Sequence, residues 1–187
     1  MKGGLAGLQQ RFENTVSNVK TATGIGDIHS DNRGTAARYN SGKPRVDLLP
    51  LYMVVDTVNC DELSKEQWDV FNALGAIALF QRTGKEEHID DALGYLSKYW
   101  IECANVFGYG AQKYAPWNWV KGMAWSVPIG CIGRHSIAVL SGELNDPEST
   151  LPHVGHIMCN VVMLKAYFSG FPEGNDLPPK NFRIEKE

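Results

Sequence analysis

Leu151-Pro-His153-Val-Gly-His156-Ile-Met-Cys-Asn160-Val-Val-Met-Leu164-Lys165-Ala-Tyr-Phe-Ser169 carries two patterns at once. Val154, Ile157, Met158 and Val161, with Leu164 or the alkyl stem of Lys165, recur every three to four residues, the period of one helical face. His153, His156 and Asn160 stand at i, i+3 and i+7, so they share another face of the same helix. A helix over 151–169 with a core stripe beside a chemical stripe is the reading from which the rest follows.

Upstream of that helix the same period recurs. Ser126 and Pro128 stand in the order of a cap followed by a first-turn proline, and Gly142 is a stop signal, which predicts a helix to about Ser141. Ile89, Ala92, Leu93, Leu96, Trp100, Cys103, Ala104 and Phe107 predict one longer helix from Glu86 to Phe107, ended by Gly108 and Gly110. Ser64-Lys-Glu-Gln67 is a capping box opening a helix to about Gln81, with Trp68, Phe71, Leu74, Ala78 and Leu79 as its inner stripe. Leu48 to Val58 predicts a further helix. No segment alternates apolar and polar residues as a half-buried strand does. The expected fold is all-α, a bundle of about five helices.

Around this bundle, residues 1–38 read as an N-terminal arm. Leu5, Leu8, Phe12 and Val16 there have the spacing of a short amphipathic helix. Residues 39–178 read as one catalytic domain, and 179–187 as a tail. No window approaches the ~18 apolar residues of a membrane span, and the N-terminus has no apolar leader, so a cytoplasmic protein is expected. A net charge of −3 excludes a protein that coats nucleic acid. Cys60, Cys103, Cys131 and Cys159 form no CxxC pair and read as reduced core residues.

The chemistry concentrates between residues 102 and 160. Glu143, Asp146 and Glu148 lie on the turn before the His153/His156/Asn160 stripe. Carboxylates there, with Glu102 on the preceding long helix, suit Mg2+ or Mn2+, and histidine ligation tilts the choice toward Mn2+. The histidines could equally be hydrogen-bonding supports or a base. Arg134-His135 in mid-helix is a solvated pair or a clamp for phosphate or carboxylate. Trp117, Asn118 and Trp119, flanked by Lys113 and Lys121, could stack on a base and hold phosphates, or merely anchor the loop. Lys43, in the turn Asn40-Ser-Gly42-Lys43-Pro44-Arg45, could meet phosphate.

In order, Gly110-Ala-x-Lys113-Tyr114-x-x-x-Asn118-Trp119-x-x-Gly122, Arg134-His135, Gly142-Glu143-x-x-Asp146-Pro-Glu148-Ser and His153-x-x-His156-x-x-x-Asn160 resemble the phage-encoded dATP/dGTP diphosphohydrolase family. That family is similar to the all-α nucleoside triphosphate pyrophosphohydrolases of the MazG type. The resemblance implies a metal-dependent enzyme cutting dGTP or dATP to monophosphate and pyrophosphate, and a homodimer or homotetramer. With the residues read alongside it, the metal ligands are expected among Glu102, Glu143, Asp146 and Glu148 in some combination. Glu148, His153, His156 and Arg134 would carry the catalysis, and Lys43, Lys113, Asn118, Trp119, Lys121, His135 and Asn160 the substrate. The sequence departs from the MazG pattern where ExxE and ExxD are expected: Asn105 follows Glu102, and histidines occupy the last helix. Glu86-Glu87-x-x-Asp90-Asp91 imitates that motif but reads as a solvated helix start. Residues 61–99 read as a helical insertion relative to shorter members. The rival reading is a non-catalytic nucleotide sensor or host-interaction protein. A phosphohydrolase of the HD type is disfavoured because no His-Asp dipeptide occurs.

Overall fold

The last helix is central, buried nearly all round over its first half. In the computed structural model, which describes residues 26–40 and 42–179, it spans His153–Gly170 and is surrounded by three other helices. In chain order the helices are α1 (Leu51–Asp56), α2 (Lys65–Thr83), α3 (Glu87–Leu96), α4 (Trp100–Lys113), α5 (Ser126–Leu140) and α6 (His153–Gly170). Short 3-10 turns at Val46–Leu48, Cys60–Glu62, Asn118–Lys121 and Pro172–Gly174 join them. No strand forms among the described residues, and Asn145 and Pro152 make one isolated bridge. The fold is an all-α bundle in which α6 packs on α3, α4 and α5, while α2 packs on α1, α3 and α5. The short helix read on Leu5, Leu8, Phe12 and Val16 lies outside the described residues, as do Ser41 and most of the C-terminal tail.

Both stripes of α6 are interior. Val154, Ile157, Met158, Val161 and Leu164 are buried, and so are His153, His156 and Asn160. A helix apolar on most sides belongs inside, and here the polar side goes in with it. Lys165 is half-buried, and its ammonium lies 2.9 Å from Glu86 and 2.5 Å from Asp90. Those acids, read as a solvated helix start, thus tie α3 to α6.

The single helix expected over 86–107 is two. The backbone breaks at Ser97–Tyr99, where Tyr99 leaves helical geometry. Tyr99 Oη donates to Asp69 on α2 at 3.0 Å, and Lys98 pairs with the same carboxylate. These bonds, with the burial of Tyr99, hold the break and reset the stripe to Leu96, Tyr99, Cys103 and Val106. Trp100, expected inside, is exposed. The two glycines expected to end the helix at 108–110 do not, and α4 continues to Lys113.

The capping box on α2 forms as written, with Ser64 accepting from the Gln67 backbone and Gln67 accepting from the Ser64 backbone. The inner stripe of α2 differs from expectation. Val70, Ala73, Leu74, Ile77 and Phe80 are buried, while Trp68 and Leu79 are substantially exposed. A helix with three helical neighbours is buried over a broad face, and that face is centred one step away from Trp68. At α5 the expected Ser126 cap is reversed: the Ser126 backbone N–H and Oγ both donate to the Asp176 carboxylate, at 2.8 and 2.5 Å. The cap therefore comes from the far end of the chain.

Residues 26–38 lie along the domain as a strap. Gly34 N–H and Ala36 N–H donate to the Lys121 and Gly122 carbonyls. Asn118 holds the Ala37 backbone from both sides, accepting at 3.0 Å and donating at 2.9 Å. This strap carries Arg38 to α5 and α6.

Candidate active site

One cavity of about 500 Å3 opens between α4, α5, α6, the Asn118–Lys121 turn and the strap. Its walls have three characters. Phe107, Trp117 and Trp119 form an aromatic side, with ring centroids 5.4 Å apart for Phe107–Trp119 and 6.4 Å for Trp117–Trp119. Trp117 is 73% exposed and holds a left-handed backbone (φ 61°) that few non-glycine residues adopt. Lys43, Lys113, Arg38 and Arg134 bring positive charge. His135, His156, Asp146 and Glu148 line the third side.

Helix packing explains the histidine group. The inner faces of α5 and α6 meet, and the 146–149 turn folds over the start of α6. His135 Nδ1 lies 2.8 Å from His153 Nδ1, so one ring carries the shared proton and the other accepts it. His135 and His156 rings stack at 4.5 Å. Ser149 Oγ donates to Asp146 Oδ2 at 2.7 Å and lies 2.8 Å from His156 Nε2, which puts the proton of that contact on His156. Burial, then the neighbouring His156, His153 and arginines, push His135 down to about 2. Burial holds His156 at about 4 against the pull of Asp146. Both imidazoles are neutral at pH 7. Asp146 stays ionised: burial opposes its charge, but bonds from Ser149 outweigh it and lower the carboxyl.

A divalent ion fits this group. Ligand atoms of His135, His153 and Asp146 all lie within 4.8 Å of one another, the one such set among the described residues. His153 Nε2 is buried and has no hydrogen-bond partner, and an orphaned imidazole nitrogen is a ready ligand.

The expected oxygen ligands are placed differently. Asp146 joins the histidines. Glu143 stands 3.8 Å from His153 Nε2, half exposed. Glu148 bridges Lys43 at 2.8 Å and Lys113, and these bonds hold its carboxyl at about 2. Glu102 lies on the α4–α6 seam, where its backbone faces Gly155, and it does not line the cavity.

The expected substrate residues also divide. Lys43, Lys113, Trp119, Arg134 and His135 line the cavity. Asn118 reaches it but spends both amide atoms on Ala37. Asn160 sits behind the wall, donating to the His156 carbonyl at 2.7 Å and accepting from Arg38 at 3.0 Å. Lys121 points away, with its ammonium 3.4–3.5 Å from the Ile28 and Asp27 carbonyls.

Arg38 has no place in the sequence reading, and Cys131, expected as a core residue, lies in the cavity lining. Arg38 falls in a stretch with no periodic signal, and only its bonds to Asn160 and Cys131 reveal it. The Asn40–Pro44 turn was noticed for Lys43, yet it also fixes Arg134: Nη1 donates to the Pro44 carbonyl at 3.0 Å and Nη2 to Asn40 at 3.4 Å.

Among the described residues, no helix is long and apolar enough to cross a membrane. Neither the curated proteins nor the solved structures contain a match to the chain. A family model, described as dATP/dGTP diphosphohydrolase, N-terminal, matches residues 79–176. The match takes in the end of α2, all of α3 to α6, and most of the cavity wall. It covers just over half of the sequence, and with it the chain belongs to the dATP/dGTP diphosphohydrolase, N-terminal, family.

Proposed function

We propose that the chain hydrolyses purine deoxynucleoside triphosphates, dGTP and dATP, to the monophosphate and pyrophosphate with the help of a divalent ion. The observation that carries this is the composition of one cavity: aromatic rings on one wall, four cationic side chains, and His135 and Asp146 in the lining, with His153 bonded to His135 outside that lining. The family description supports the nucleotide and the class of reaction.

In this reading the base stacks on Trp117 and Trp119, because every base offers a π face. Arg134, Lys43 and Lys113 face the phosphates and offset charge as it moves to the leaving group. His135, His153 and Asp146 would hold the ion, and their two nitrogen donors favour Mn2+ over Mg2+, which prefers oxygen. The ion would supply Lewis acidity at the phosphorus under attack. His156, neutral before reaction and with its Nε2–H donated to Ser149, takes the proton from the attacking water at Nδ1. Asp146 Oδ2, 3.8 Å from Nε2, supports the charge His156 then acquires. Ser149 and the Asn160 contact to the His156 carbonyl hold the ring in place.

The test is hydrolysis of dGTP and dATP in 18O-water, with Mg2+ or Mn2+, followed by mass spectrometry. Label in the monophosphate, with turnover abolished by chelator, is expected. Label appearing only in orthophosphate or pyrophosphate would mean the wrong phosphorus has been assigned. Tight nucleotide binding with no turnover in either metal would favour the sensor reading instead.

A further inference from the structure

The cavity holds two pairs of cations, and they are in different states. Lys43 and Lys113 are satisfied internally, since each binds one oxygen of Glu148. Arg38 and Arg134 are not. Arg38 Nη2 lies 3.1 Å from Cys131 Sγ, and Arg134 Nη2 lies 3.0 Å from the same sulfur. Their other acceptors are neutral: Asn160 for Arg38, the Pro44 carbonyl and Asn40 for Arg134. No carboxylate among the described residues forms an ion pair with either. Asp47, which with Arg134 adjoins Gly130, is taken by Arg45 at 2.6 Å.

Two guanidiniums converging on one sulfur repel each other, and a thiol is a weak acceptor that cannot neutralise them. Neither can shed its proton, because guanidinium is charged at all working pH values. An anion placed across the pair would relieve the repulsion and supply bidentate acceptors matched to the guanidinium fork. The lysine pair gains less from the same anion, since Glu148 must first be displaced.

We infer that Arg38 and Arg134, over Cys131, form a binding site for the phosphate chain of the substrate, of the chemical class of pyrophosphate. This rests on the reading of the cavity as a nucleotide site and assigns to Arg38 a role that its place in the strap conceals. Arg134 precedes His135 in α5, and Arg38 is bonded to Asn160, one helical turn after His156. The site therefore adjoins the histidine group on two elements.

The experiment uses the full chain in excess EDTA, so that no metal contributes. Inorganic pyrophosphate is titrated calorimetrically into wild type, Arg38→Lys and Arg38→Gln, with sulfate as a control anion. Wild type is expected to bind pyrophosphate more tightly than sulfate. Arg38→Lys should weaken pyrophosphate roughly tenfold and Arg38→Gln further, because lysine keeps charge but loses the fork. As a measurement that needs no variant to fold, the Arg38 Nε–H resonance of 15N-labelled wild type should shift on adding pyrophosphate. Equal affinity in wild type and Arg38→Lys, an unmoved Arg38 resonance, or no pyrophosphate binding by wild type would overturn the inference. Pyrophosphate binding through Arg38 in a protein that turns over no nucleotide would leave this site standing and sink the hydrolase reading. Turnover with Arg38-independent pyrophosphate binding would do the reverse.

Discussion

Asp146 is the residue on which the candidate site depends most. It is the expected ligand whose carboxylate clusters with both His135 and His153, and Ser149 holds it ionised. Asp146→Asn keeps the shape and removes the charge. It should lower kcat by roughly a hundredfold or more and weaken Mn2+ binding, read by calorimetry, with a far smaller change in thermal stability. Trp117 presents the opposite case. It is largely exposed and strained in the left-handed region, so it contributes little to the core. Trp117→Ala should raise KM for dGTP by roughly tenfold, the scale of one base–aromatic stack, while Tm stays within about two degrees. An unchanged KM would show that Trp117 is a loop anchor, and that the base lies elsewhere.

Between elements, α4 and α6 cross with backbone close to backbone at Gly155. A Cβ built on Gly155 would lie 2.6 Å from the Glu102 carbonyl oxygen and 2.8 Å from its carbonyl carbon. Backbone cannot yield as a flexible side chain can, so the two helices approach because residue 155 has no side chain. Gly155→Ala must either push α4 outward or strain the start of α6. It should lower Tm by several degrees, the response of a small domain to overpacking of about 1–3 kcal/mol. Since His153 and His156 flank Gly155, the same variant should also weaken metal binding. A variant with wild-type Tm and metal affinity would show that the crossing relaxes freely.

For the whole molecule, the buried histidines set the response to acid. In the unfolded chain an imidazole titrates near 6.5, whereas in the fold His156 is held at about 4 and His135 at about 2. Between those values the unfolded chain binds protons that the native state refuses, so acid favours unfolding. Their contribution to stability is complete above pH 6.5 and is lost as pH falls from there toward 4 and below. Glu148, held at about 2, adds a second loss below about pH 4.5 as its pairing with Lys113 and Lys43 is undone. Thermal melts in EDTA should show a Tm that is level from pH 7 to 8 and falls steadily below 6.5. His156→Gln should flatten the upper part of that fall. A Tm insensitive to pH between 7 and 4.5 would contradict the burial of the neutral imidazoles.

The helices themselves were legible in the chain. The period of Val154, Ile157, Met158 and Val161, the Ser64–Gln67 box and the stop at Gly142 are all local signals, acting within one or two turns, and the fold follows them. The stretch that lines much of the candidate site also stood out, since three of the five histidines and three of the five tryptophans fall between 102 and 160, with Asp146 and Arg134 among them. Their grouping was not legible. Asp146 joins the histidines while Glu148 turns to two lysines, and that choice depends on how the 146–149 turn folds over α6. The break at Ser97–Tyr99 is decided by Asp69 on another helix. Arg38 reaches Asn160 across 122 residues of sequence, with no period or motif linking the two. Local periodicity records which face of a helix is apolar. Which polar groups meet inside is settled by packing between elements far apart in sequence, and only the tertiary structure contains that.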